Sequence, residues 1–168
     1  MIRPAYATAL LAMAGCLAMP LPLEAVTGTT FQVSANIVPG CLIIGGGSNY
    51  GTLAYGTYAA LSTSTLVTSL FNRVQLQCTP GVRLNMSIDG GQNNAEGRHL
   101  KLDSGTAQLA YKLYSDNSLS QEIGGGQSVY VAYSNPDDIR LTIYGRVRLP
   151  GNLPAGQYRD VVQVQLSW

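Results

Sequence analysis

From residue 29 to the end, apolar and polar residues alternate with a period of two, the signature of strands that each bury one face. In Phe31-Gln32-Val33-Ser34-Ala35-Asn36-Ile37 every odd position is apolar and every even one polar, until Pro39-Gly40 breaks the run. From Leu70 to Cys78, Leu70, Val74, Leu76 and Cys78 share one face while Arg73, Gln75 and Gln77 share the other. After Thr79-Pro80-Gly81, the residues Val82, Leu84, Met86 and Ile88 repeat the pattern, and the two runs read as neighbouring strands of one sheet joined by a short connection. Further strands are predicted through Leu100 and Leu102, through Leu109, Tyr111 and Leu113, at Val129-Tyr130-Val131, from Ile139 to Val147, and from Tyr158 to Trp168. Turn chemistry separates them at Asp89-Gly90-Gly91, Ser115-Asp116-Asn117, Gly124-Gly125-Gly126 and Asn135-Pro136-Asp137-Asp138. No stretch of this region carries a 3.6-residue apolar stripe, so the expected class is all-β, a sandwich of short antiparallel strands.

Residues 1–25 stand apart. Arg3, the apolar run from Ala5 to Met19, Pro20-Leu21-Pro22 and the small Ala25 read as a secretory signal peptide, and the run is short for a bilayer-spanning helix. A second reading of the same segment takes Met13-Ala14-Gly15-Cys16 as a lipobox, with Cys16 acylated. With the leader removed, Cys41 and Cys78 remain in a chain bound for an oxidising compartment, and a disulfide between them is expected. Only 11% of residues are charged and the net charge is +1, so no electrostatic footprint for nucleic acid or an anionic membrane is expected.

Little in the chain points to catalysis, and no enzyme activity, cofactor or metal is expected. His99 sits beside Arg98 and Lys101 with no Cys or Glu next to it, and reads as a strand-end residue rather than a general base. Asp137-Asp138 with Asn135 offers oxygen ligands for calcium, against which stands their ordinary role in starting a turn. Gly124 to Gly126 lacks the strand-then-helix setting and the Lys-Ser/Thr of a phosphate loop. The ten tyrosines suit either a sugar-binding face or the half-buried positions of ordinary strands. More suggestive is the segment from Phe31 to Ile37, which follows the leader directly and precedes Pro39-Gly40. Such a segment either pairs within its own sandwich or adds to the sheet of a second copy, and head-to-tail addition builds an open filament.

The residues also carry a family resemblance. Ala25-Val26-Thr27-Gly28, the alternating strand after it and Cys41 resemble the N-terminus of spore coat protein U domain pilins, the Csu-type archaic chaperone-usher fimbriae. Tyr50-Gly51-Thr52-Leu53-Ala54-Tyr55-Gly56, Val74 to Cys78, Ser87 to Gly91, Leu109 to Tyr114, Ile143 to Arg146 and Pro154 to Asp160 are similar to later motifs of that family, in the same order. Tyr50 and Tyr55 stand where Phe is frequent in it.

The resemblance implies an incomplete immunoglobulin-like sandwich over residues 39–168, completed by a donor strand from a neighbouring subunit. The donor segment would be residues 26–38, with Phe31, Val33, Ala35 and Ile37 as the inserted side chains and Cys41–Cys78 bracing the acceptor. Implied partners are a periplasmic chaperone, an outer-membrane usher and neighbouring pilin subunits in a homo- or hetero-polymer, with no nucleic acid. The implied place is a cell-surface fimbrium reached through the periplasm, serving adhesion and biofilm formation; a single domain is not what the two-domain tip adhesins of such systems have. The contrasting expectation is a secreted monomeric sandwich that binds carbohydrate or a surface, lipid-anchored if Cys16 is acylated.

Overall fold

A computed structural model describes residues 28, 30–45 and 49–168, with backbone alone for 71–73. Residues 1–25, and Cys16 with them, lie outside the described residues. The chain divides into two units, 1–36 and 37–168.

Among the described residues every regular element is a strand: β1 (Cys41–Ile44), β2 (Thr65–Cys78), β3 (Asn85–Ile88), β4 (His99–Leu102), β5 (Gln108–Tyr114), β6 (Ser128–Tyr130), β7 (Ile139–Arg148), β8 (Tyr158–Arg159) and β9 (Val164–Ser167). They form a six-stranded sheet in the order β1-β2-β7-β5-β4-β8 and a three-stranded sheet in the order β6-β3-β9. All pairings between these strands are antiparallel, with β2 and β7 paired from Thr65↔Arg148 to Leu76↔Ile139 across a shift of register between Leu70 and Val74. The inward positions of both sheets meet in one core of Leu76, Cys78, Leu84, Met86, Ile88, Leu113, Ile123, Ile139, Ile143 and Val147.

In three places the architecture differs from the alternation-based expectation. Residues 31–40 form no strand, and Phe31 and Val33 are 87% and 81% exposed. Alternation records that one face should be buried, but a strand also needs a neighbour for its ladder hydrogen bonds, and residues 31–39 pair with no strand among the described residues. Second, the runs on either side of Thr79-Pro80-Gly81 belong to different sheets, β2 to the larger and β3 to the smaller. Both face the same core, so a hairpin and a corner between sheets write the same pattern into the sequence. Third, Tyr158 to Trp168 holds two strands, β8 pairing with β4 and β9 pairing with β3, as the chain crosses from one sheet to the other.

Gly145 interrupts the apolar series of β7, and the structure supplies the reason. A Cβ there would stand 2.4 Å from the Tyr55 hydroxyl and 2.5 Å from Leu53 Cδ2, so the loop before β2 fills the gap with its own side chains. The Tyr55 hydroxyl is buried with no hydrogen-bond partner among the described residues. Tyr111 is buried as well, and donates to Asp160 Oδ2 at 2.7 Å.

Burial raises the pKa of both phenols, and for Tyr111 the bond to Asp160 adds to it. A folded-state pKa above the unfolded value of about 10 means that the neutral form is favoured by folding. Its contribution is therefore fully present below about pH 10 and is lost as pH rises beyond that. The melting temperature should hold up to about pH 10 and fall above it, and Tyr55→Phe should flatten the alkaline limb in a thermal-melt series. An unchanged limb would show that Tyr55 ionises as freely folded as unfolded.

Candidate functional site

β1 begins where the Pro39-Gly40 break ends and is held by its register with β2: Cys41 opposite Cys78, Leu42 opposite Gln77, Ile43 opposite Leu76. The Cys41–Cys78 disulfide closes the first of these pairs with an S–S distance of 2.00 Å. Thr79 N donates to Gly40 O at 2.9 Å, and Gly40 N donates to Thr79 Oγ1 at 3.2 Å, which fastens the entrance to the strand. On its other side β1 has no paired strand among the described residues; β9, at the margin of the smaller sheet, likewise pairs with β3 alone.

The two open margins lie on the same side of the sandwich. A Cβ added at Gly40, just before β1, would come to 3.7 Å from Trp168 Nε1, just after β9. Inward-facing residues at these margins are less covered than the residues they pair with. Ile43 is 37% exposed although Leu76, directly opposite it, is 0% exposed. Val164 and Leu166 are half-buried opposite the fully buried Ile88 and Met86. Leu42, Ile44, Val161 and Trp168 are exposed nearby in sequence. The result is a line of apolar side chains flanked by strand edges whose outward N–H and C=O groups have no ladder partner, an arrangement that invites another strand.

The residues expected to act as donors are exposed in this chain. Phe31, Val33 and Ala35 belong to the first unit and are exposed; Ile37, at the start of the second, is 91% exposed. None is part of a strand. β1 escaped the alternation analysis because Leu42-Ile43-Ile44 is continuously apolar, and continuous runs carry no period.

The remaining candidates have structural partners. His99 opens β4 with Nδ1 2.8 Å from Gly97 O. Asp137 accepts from Gln77 Nε2 at 2.9 Å, while Asp138 accepts from Gln75 Nε2 at 3.0 Å and pairs with Arg140 at 2.9 Å. These bonds tie the turn before β7 to β2. No group of three or more His, Cys, Asp or Glu that could hold a metal occurs among the described residues.

The chain is similar to known proteins in sequence and in fold. Protein U of Myxococcus xanthus is 29% identical over 162 residues, spanning 88% of each chain. A chain of the CsuC–CsuE chaperone–tip adhesion subunit pre-assembly complex, from the archaic chaperone-usher Csu pili of Acinetobacter baumannii, superposes with a TM-score of 0.50 at 17% identity. That match covers 79% of this chain and only 40% of the other, and it supports an immunoglobulin-like fold. The P pilus rod subunit PapA gives 0.49 at 14% identity over 76% of this chain and 97% of its own. The model of the Spore Coat Protein U domain matches residues 27–165, from before the unpaired segment to within β9. The chain belongs to the Spore Coat Protein U domain family.

Proposed function

We propose that this chain is a structural subunit of a surface pilus, assembled through the chaperone-usher pathway by donor-strand exchange. One observation carries the reading: among the described residues the sandwich leaves the apolar margins of β1 and β9 unpaired, while the same chain holds an alternating segment that pairs with no strand. In the assembled fibre residues 26–38 of one subunit lie along these margins in the next, with Phe31, Val33, Ala35 and Ile37 turned inward. Each of the larger donor side chains gains about 1.5–3 kcal/mol on full burial, and Ala35 less. A periplasmic chaperone covers the margins before assembly and an outer-membrane usher receives the subunit. The fibre then serves adhesion and biofilm formation at the cell surface, a structural role in which the chain catalyses nothing.

The test is a denaturing gel of the purified mature protein, with and without boiling. The native chain should give a ladder of multimers that collapses on boiling, and a variant lacking residues 26–37 should give none. Val33→Asp should also abolish the ladder by placing a charge in the cleft of the next copy. Because Val33 is exposed in the single chain, the variant's own melting temperature should not move. A monomer in both lanes would make the sandwich self-sufficient, and a ladder that survives Val33→Asp would mean that the copies associate without inserting Val33.

A further inference from the structure

The near-neutral net charge hides a local segregation. Lys101, Lys112, Arg140, Arg146, Arg148 and Arg159 all stand at outward positions of the six-stranded sheet. Three of them are paired with carboxylates, Lys112 with Glu122, Arg140 with Asp138 and Arg159 with Asp103. Lys101, Arg146 and Arg148 have no such partner among the described residues.

Two of these free cations reach a groove of about 580 Å³ between the loop of Glu96 and Gly97 and the loop of Gly124 and Gly125, beside Lys112. Lys112 stands directly opposite Arg146 across β5 and β7, a like-charge pair that costs a sheet stability. Glu122, which also lines the groove, offsets the charge of Lys112. Arg146 is fixed with its guanidinium 5.1 Å from the centre of the Tyr114 ring, and Arg148 lies two residues further along the same face. Arg146 thus has an aromatic partner but no carboxylate, and Arg148 has neither among the described residues, which leaves both charges open to an anionic ligand.

We propose that this groove binds an acidic polysaccharide, with Arg146 and Arg148 holding carboxylates of successive sugars and the glycine-rich walls lying against the hydroxyl-bearing rings. The size of the groove exceeds what a lone inorganic anion needs. Nucleic acid fits less well, because single-stranded binders stack bases on exposed aromatic rings. Here Tyr111 and Tyr114 are both buried, and Arg146 covers the latter.

The groove lies on β4, β5 and β7, away from the β1 and β9 margins, so its test is separate from that of fibre assembly. The full mature protein is run by affinity electrophoresis through gels containing polygalacturonate, neutral dextran or DNA. Polygalacturonate should retard it in a salt-sensitive way and dextran should not. Arg148→Gln should weaken retardation about threefold, and Arg146→Gln/Arg148→Gln about tenfold, in the range of partly screened surface charges. Glu96→Gln, which removes one of the two carboxylates lining the groove and leaves the Lys112-paired Glu122, should strengthen it, a gain that misfolding cannot produce. The multimer ladder of Arg148→Gln should match that of the unaltered chain. Equal retardation of the double variant, equal retardation by dextran, or DNA binding as tight as that of polygalacturonate would overturn the assignment.

Discussion

Replacing Cys41 and Cys78 together by serine is expected to lower the free energy of unfolding by about 4 kcal/mol, a large fraction of what a domain of this size possesses. The two residues are 37 positions apart, and opening a loop of that length returns this much chain entropy to the unfolded state. Folded-state contacts add to the cost at one specific place. β1 is four residues long, pairs on one side only, and presents Leu42, Ile43 and Ile44 partly or largely to solvent. The disulfide anchors its first residue to the last residue of β2, so without it β1 should fray and expose the margin of β2 as well. Urea unfolding followed by the fluorescence of Trp168, the chain's one tryptophan, measures the difference, and the double variant avoids leaving a reactive thiol. A change below about 1 kcal/mol would mean that β1 is held by its ladder and side chains alone.

Much of this fold was legible in the sequence because alternation reports burial of one face. The cores of β5 and β7 follow from Leu109, Tyr111 and Leu113 and from Ile139, Leu141 and Ile143, all of them buried in the structure. What alternation does not report is the partner. Leu76 and Met86 face the same core from different sheets, and Val162 and Val164 continue a series that Tyr158 begins on the opposite sheet. A strand that changes sheets keeps its inward positions inward, so its period is unbroken while its hydrogen bonds change hands. The acceptor margin was illegible for a related reason. Ile43 lies in a continuous apolar run without a period and Leu166 reads as an ordinary strand residue, and only their incomplete cover beside buried neighbours marks the open margins. The segment from Phe31 to Ile37 was the reverse case, plain in its pattern and unpaired among the described residues.

Arg98→Met is expected to destabilise the fold by about 4 kcal/mol, although the side chain is neither in the apolar core series nor at the assembly margin. Arg98 is 6% exposed, and its guanidinium donates to main-chain oxygens of Ile88 at 2.7 Å, Asp89 at 2.8 Å, Ile123 at 2.5 Å and Gly124 at 3.2 Å. One side chain thus joins the end of β3 to the loop before β6. Ile88 O and Gly124 O also accept from Gly126 N and Gln127 N and would keep a donor. Asp89 O and Ile123 O would be left with none of comparable standing, at about 1–3 kcal/mol each. Burial lowers the guanidinium pKa, opposed by the carboxylates of Asp89, Glu122 and Asp160, which hold the charge in place. Around the same turn Asp160 accepts from Tyr111 and from Asn93 N, and Asp89 Oδ1 accepts from Gln163 N at 2.9 Å, fixing where the chain leaves β8 for β9. Gly91 shows how tight this is: its φ is +81° and a Cβ would lie 2.1 Å from Asp160 Oδ2. Loss of Arg98 should therefore loosen β9, the strand that forms one wall of the assembly margin. Arg98→Lys separates charge from geometry, because an ammonium keeps the charge but cannot span four carbonyls as a planar fork does. If Lys restores full stability in urea unfolding, the charge alone matters; if it recovers half or less, the fork is what joins β3 to the loop, and multimer ladders of both variants should weaken in the same order.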